Sequence, residues 1–128
     1  MSHQFPIRVY YEDTDMGGIV YHANYLRYIE RARSGWVRQL GNDQNAMREG
    51  GLVWVVRRVE AEYLSTARFE DELIVESTVR KVTPARLVMD QVVTRAGTPI
   101  FTAVVTAVCM NSKGQPVRLP AEIRALMR

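Results

Sequence analysis

The chain has 128 residues, 47% of them hydrophobic and 24% charged, which fits one domain of ordinary globular composition and argues against disorder. No apolar run approaches the roughly 18 residues of a membrane span, and residues 1–6 show no charged-then-apolar export pattern. A single cysteine, Cys109, allows no intrachain disulfide, so a cytoplasmic address is the simplest expectation. The net charge of +3 is too small a surplus for a nucleic-acid binder, although fifteen of the 17 basic residues are arginine.

In chain order, residues 6–11 read as a short strand of β-branched and aromatic residues. An acidic, glycine-rich loop follows at 12–18. Residues 23–40 read as a helix, with Leu26, Ile29, Ala32, Trp36, Val37 and Leu40 at helical spacing and Arg27, Glu30, Arg31, Ser34 and Arg38 on the other face. Gly41 is the expected stop, and 44–48 are expected to add a helical turn. Four strands are then expected, at 52–64, 73–83, 86–94 and 100–110. In the first of them Val59, Ala61 and Tyr63 alternate with Arg58, Glu60 and Glu62, as in a half-buried strand. The tail at 120–127 is expected to close with a short helix.

Consecutive strands joined by short turns pair antiparallel. One long amphipathic helix must lie against that sheet, so the fold class is α+β. The stretches around Val53 and Phe101 are apolar on both faces. Either a second subunit covers the outer face, or these are central strands.

Chemistry concentrates in the segment from Tyr11 to Tyr25. Glu12, Asp13 and Asp15 precede two glycines, and His22 and Asn24 stand where the helix begins. A helix N-terminus offers unpaired N–H groups and the positive end of a dipole, suited to a carbonyl oxygen gaining charge. A carboxylate held nearby could serve as base or nucleophile. The plainer readings are a solvated acidic turn, helix caps, and a structural His22. A metal site can be drawn from Asp13, Asp15 and His22, but the spacing is not that of a tight ligand set. No P-loop, dinucleotide fingerprint or serine nucleophile elbow is present. Cys109 sits in an apolar strand and reads as core, and Trp36 and Trp54 read as packing.

The run from Val9 through Tyr25, continuing Leu26-Arg-Tyr-Ile-Glu-Arg-Ala-Arg, resembles the signature of the YbgC-type acyl-CoA thioesterases. These belong to the hotdog-fold family typified by 4-hydroxybenzoyl-CoA thioesterase. The resemblance extends through Val55-Val-Arg-Arg and the stretch opening at Ala67, nearly the whole chain. It implies a hotdog fold, a five-stranded antiparallel sheet wrapped around one long central helix, in a homodimer or a dimer of dimers with sites at the dimer interface. It implies hydrolysis of acyl-CoA to acid and thiol, with Asp15 as nucleophile or general base and the His22 N–H polarising the carbonyl. The His22 side chain would orient Asp15 or the water, Tyr11 would stand at the site, and Asp13 would be structural. Asn24 would hold the loop to the helix start and, with Met16 and Tyr25, stand beside the substrate. Met16 replaces the small residue or proline common in relatives. Lys81 and Arg86 lie where relatives bind coenzyme A phosphates, and a solvated turn is the alternative for both. No cofactor is implied. The family's links to the Tol-Pal envelope system and to phospholipid synthesis make acyl carrier protein a second partner to consider. They also leave open a non-catalytic role in binding a thioester or scaffolding.

Overall fold

The computed structural model describes residues 2–126. Strand β1 (Ser2–Arg8) leads through a 3-10 turn (Tyr11–Asp13) into α1 (His22–Gln39) and the short α2 (Gln44–Glu49). Then come β2 (Val53–Tyr63), β3 (Glu72–Val82), β4 (Leu87–Arg95), β5 (Thr98–Met110), the two-residue β6 (Pro116–Val117) and α3 (Ala121–Arg124). All pairings are antiparallel, in the order β1-β3-β4-β5-β2, with β6 against the end of β5. The expected five-stranded sheet is therefore present as five long strands, and β6 makes a sixth. Register breaks at Val56/Arg58, Val79/Lys81 and Val93/Thr94 bend the strands, as bulges do. The sheet curves around α1, giving the α+β hotdog arrangement.

Helix α1 holds the concave face of the sheet through two clusters. Tyr25, Tyr28, Ile29 and Ala32 meet Leu73, Val75, Val93, Phe101 and Val105. Trp36 and Val37 meet Leu87, Met89, Cys109, Leu119 and Ile123. Burying a large apolar side chain contributes about 1.5–3 kcal/mol, so this stripe seats the helix. The periodic reading placed the stripe slightly off. Leu26 is 41% exposed, while Tyr25 and Tyr28 are buried, because the stripe runs through the two tyrosines instead.

Strand β1 stops at Arg8, not at residue 11. The Asp13 carboxylate takes the Tyr10 N–H, and the chain leaves the sheet there despite the β propensity of its tyrosines. In β2 the expected alternation fails, since every residue from Arg57 to Tyr63 is exposed. β2 is an edge strand, paired on one side only, and of α1 only the first turn reaches its second half, at Tyr63. Strand β5 is interior, and its inward residues Phe101, Ala103, Val105, Ala107 and Cys109 are buried. Its outward residues are half-buried. Of the tail helix expected at 120–127, Ala121–Arg124 is helical, and residue 127 lies outside the described residues. Trp54 does more than pack. Its Nε1–H donates to Asn42 Oδ1 at 2.8 Å, and the Asn42 amide donates to Glu122 Oε1 at 2.8 Å, tying the end of α1 to β2 and α3. Among the described residues no helix is long and apolar enough to cross a membrane.

Candidate active site

After the 3-10 turn the chain makes a hairpin whose tip carries Asp15, Met16 and the two glycines. Thr14 pairs with Val20, the Asp15 N–H donates to the Ile19 carbonyl at 3.0 Å, and the Gly18 N–H donates back to the Asp15 carbonyl at 3.0 Å. Gly18 has φ +78°, a conformation that costs glycine little. The hairpin is docked by the Val20 N–H on the Ala67 carbonyl and the Tyr21 N–H on the Asp13 carbonyl, both at 2.8 Å. Asp15 thus sits at the tip of a hairpin whose second arm runs into α1.

Asp13 holds the base of this loop. It is buried, its Oδ2 accepts the Tyr10 N–H at 2.9 Å and its Oδ1 accepts from Asn24 Nδ2 at 2.8 Å. Asn24 Oδ1 in turn accepts from Arg27 at 3.2 Å. The Tyr25 hydroxyl accepts the Ala67 N–H at 3.2 Å, and its ring stacks on Phe101. Burial pushes the Tyr25 hydroxyl pKa up. The same holds for Tyr28, through burial first and the nearby Asp13 charge second, and the Tyr28 hydroxyl has no hydrogen-bond partner among the described residues. Asn24 and Tyr25 were expected to touch substrate. Both are buried with their polar atoms used internally, so they position the loop instead of lining a ligand surface.

Asp15, Met16, Tyr11 and His22 face solvent. Asp15 Oδ1 accepts the Gly17 N–H at 2.8 Å, and its Oδ2 has no partner among the described residues. Tyr11 stacks on Phe69 with ring centroids 4.1 Å apart. His22 is the first residue of α1, and no side chain caps that helix end. Its N–H therefore points outward from the positive end of an 18-residue helix. The imidazole lies beside Tyr21 and Tyr63. Tyr63 stood out in the sequence only as one position of a strand alternation, yet its hydroxyl donates to the His22 carbonyl at 2.8 Å, pinning the helix start to the end of β2.

Lys81 and Arg86 do not join this group within the chain. They flank a turn in which the Thr83 hydroxyl accepts the Ala85 and Arg86 N–H groups. The turn leads into Leu87, which pairs with Ala107, whereas Phe101, beside Tyr25, pairs with Val93. The six residues between span about 20 Å of strand. Among the described residues, no three His, Cys, Asp or Glu side chains gather closely enough to hold a metal ion.

An antiparallel sheet wrapped around one long helix defines the hotdog class of α+β proteins, and here an exposed carboxylate is carried on the hairpin leading into that helix. Residues 9–127 match the family model described as the thioesterase-like superfamily. The chain is 40% identical over 123 residues to "Acyl-CoA thioesterase YbgC" of Haemophilus influenzae, covering 94% of this chain and 90% of that one. It is 38% identical over 124 residues to "Acyl-CoA thioester hydrolase YbgC" of Escherichia coli, covering 95% and 92%. The crystal structure of a probable thioesterase from Bartonella henselae superposes with a TM-score of 0.89 at 35% identity, over 94% of this chain and all of that one. The chain belongs to the thioesterase-like superfamily and, within it, to the YbgC acyl-CoA thioesterases.

Proposed function

We propose that this protein hydrolyses acyl-CoA thioesters to the free acid and coenzyme A. The observation that carries the reading is the Asp15 carboxylate, with one oxygen held and the other free, on the hairpin that leads into α1, whose start at His22 has no side-chain cap. The thioester carbonyl oxygen lies on the His22 N–H, and the helix dipole stabilises the charge it gains in the tetrahedral intermediate. Losing one such donor typically costs about 10²–10³ in rate. The free Asp15 oxygen attacks the carbonyl carbon itself or takes the proton of the attacking water. The thiolate of coenzyme A then leaves, and on the route where Asp15 itself attacked, water hydrolyses the acyl anhydride it forms, releasing the acid and freeing the carboxylate. The chemistry asks for a positioned acid and oxyanion donors, and for no cofactor.

The working unit in this reading is a homodimer joined along β2. That strand has a free edge and exposed Val56, Val59 and Tyr63. Antiparallel pairing of two copies about an axis at Val59 sets Arg58 opposite the partner's Glu60, a favourable cross-strand pair. It also brings the start of one β2, with the nearby turn carrying Lys81 and Arg86, toward the partner's Tyr63 and His22. Lys81 and Arg86 then serve the partner's site as phosphate ligands. Two such dimers pair through the half-buried outer sheet faces.

The test is thiol release from a panel of acyl-CoA substrates, with wild type beside Asp15→Asn and His22→Ala. Asp15→Asn is expected to lose nearly all turnover while keeping its melting temperature and oligomeric state, and His22→Ala to lose less. Turnover in Asp15→Asn equal to wild type would remove Asp15 from the reaction.

A further inference from the structure

The Asp15 hairpin and helix α1 meet on one residue, Ala67. Val20, in the second arm of the hairpin, donates its N–H to the Ala67 carbonyl at 2.8 Å, and Ile19 bridges to Arg68. From α1, the Tyr25 hydroxyl accepts the Ala67 N–H at 3.2 Å. Ala67 is fully buried. Residues 64–71, between β2 and β3, therefore form a platform that sets the hairpin against the helix.

The platform is irregular backbone and needs holding. Its Glu70 has φ +71°, a conformation that a residue with a side chain keeps only where its surroundings enforce it. Glu70 donates its N–H to the Val9 carbonyl at 2.9 Å, and Val9 donates back to the Asp71 carbonyl at 3.0 Å. Asp71 Oδ2 accepts the Arg68 N–H at 2.8 Å. The Leu64 and Ser65 N–H groups tie the other end to the Ile100 carbonyl on β5. Between these ends stands Arg95. Its Nη1 donates to the Thr66 carbonyl and lies 3.4 Å from Asp71 Oδ2. Thr66 and Asp71 lie on either side of Ala67 in the chain, so a single nitrogen closes the platform around it.

Arg95 is itself fixed. It pairs with Thr98 across the two-residue turn Ala96-Gly97, whose φ values are +50° and +82°, the tight hairpin turn whose twist matches that of its strands. Four positions earlier on β4, the buried Gln91 donates its amide to the Ile29 carbonyl of α1 and to the Ser77 hydroxyl, both at 2.9 Å, and accepts from Arg33 at 3.0 Å. One strand thus carries the tie to the helix and the tie to the platform.

We infer that Arg95 is a positioning residue: by locking residues 66–71 to the end of β4 it keeps the Asp15 hairpin aligned with the start of α1, without touching substrate. The inference rests on the proposed hydrolase reading and adds a residue far in sequence from the hairpin and helix start.

The experiment compares wild type, Arg95→Met and Arg95→Lys, all well below their melting temperatures. Acyl-CoA turnover is measured beside amide hydrogen exchange at Val20, with Val105 in the centre of the sheet as reference. A displacement of about 1 Å at a reacting group can cost 10²-fold in rate. In Arg95→Met kcat should therefore fall about 10- to 100-fold with KM nearly unchanged. Exchange at Val20 should quicken about 10-fold, the equivalent of one lost charge-assisted hydrogen bond, while Val105 keeps its rate. Because one nitrogen makes both contacts, a lysine ammonium can stand in for it, and in Arg95→Lys kcat and Val20 protection should recover together. Recovery of one without the other overturns the inference. So does an unchanged kcat in Arg95→Met, or a raised KM at unchanged kcat, which would make Arg95 a substrate ligand. Faster exchange at Val20 in Arg95→Met, with no turnover of any thioester by wild type, refutes the hydrolase reading and leaves Arg95 as the residue that holds the hairpin. Wild-type turnover with kcat and exchange both unmoved by Arg95→Met does the reverse.

Discussion

Replacing Asp13 by alanine separates holding the site from performing its chemistry. Asp13 is 3% exposed and accepts two hydrogen bonds, from the Tyr10 N–H and the Asn24 amide. The Tyr10 bond is only part-buried, so water can replace that acceptor in the variant. Asn24 is 4% exposed, and its stranded donor bears the full cost of a buried unsatisfied group. That cost is about 1–3 kcal/mol, more for a bond to a charged partner. With a small remainder from Tyr10, the loss comes to about 2–3 kcal/mol. For a chain of this length each kcal/mol moves the melting temperature by about 4 °C, so Asp13→Ala should melt about 8–12 °C below wild type. The hairpin carrying Asp15 also loses its anchor to α1, and a displacement of about 1 Å at a reacting group can cost 10²-fold in rate. Differential scanning fluorimetry and thiol release on the same samples check both numbers. A melting temperature within about 2 °C of wild type would show that this buried carboxylate does not hold the loop.

Tyr63→Phe removes the hydrogen bond to the His22 carbonyl and should cost about 0.5–1.5 kcal/mol of stability. It should also lower kcat more than it raises KM, because the oxyanion donor loses its tether, and an unchanged kcat would refute that. The Cys109 thiol is buried and its pKa is pushed up to about 11 by burial, so iodoacetamide at pH 8 should label it only after unfolding. Between its ordinary value of 9.0 and about 11, the unfolded chain releases the thiol proton and the folded chain keeps it. Stability should therefore fall as pH rises through that window, and Cys109→Ala should lessen the slope of a melting-temperature titration.

Much of this fold is legible in the sequence because its elements are regular. The helical spacing of Ile29, Ala32, Trp36 and Val37 marks α1, and turn residues bracket β3, β4 and β5. The acidic hairpin and helix start are equally visible as a pattern of residue types. Where the reading slipped, a distant or competing partner decided the outcome. Tyr10 and Tyr11 look like strand, but the Asp13 carboxylate captures the Tyr10 N–H. Asn24 and Tyr25 look available to a ligand, but Asp13 and Ala67 claim their polar atoms. Tyr63 meets His22 across 41 positions of sequence, and Arg33 meets Gln91 across 58. No local periodicity encodes such pairings. Lys81 and Arg86 are the right chemical types, but strand length carries them to the other end of the protomer.

The buried Gln91 has a consequence for how the chain folds. A greasy helix on a greasy sheet could settle at several positions along its axis with similar burial. Here the Gln91 amide must find the Ile29 carbonyl on one side and Ser77 on the other. Sliding the helix by one turn would leave that amide without a partner in an apolar layer, at a cost comparable to a large share of a domain's net stability. The side chain therefore rejects misdocked helices during folding, so that loop, helix start and edge strand arrive together in one alignment.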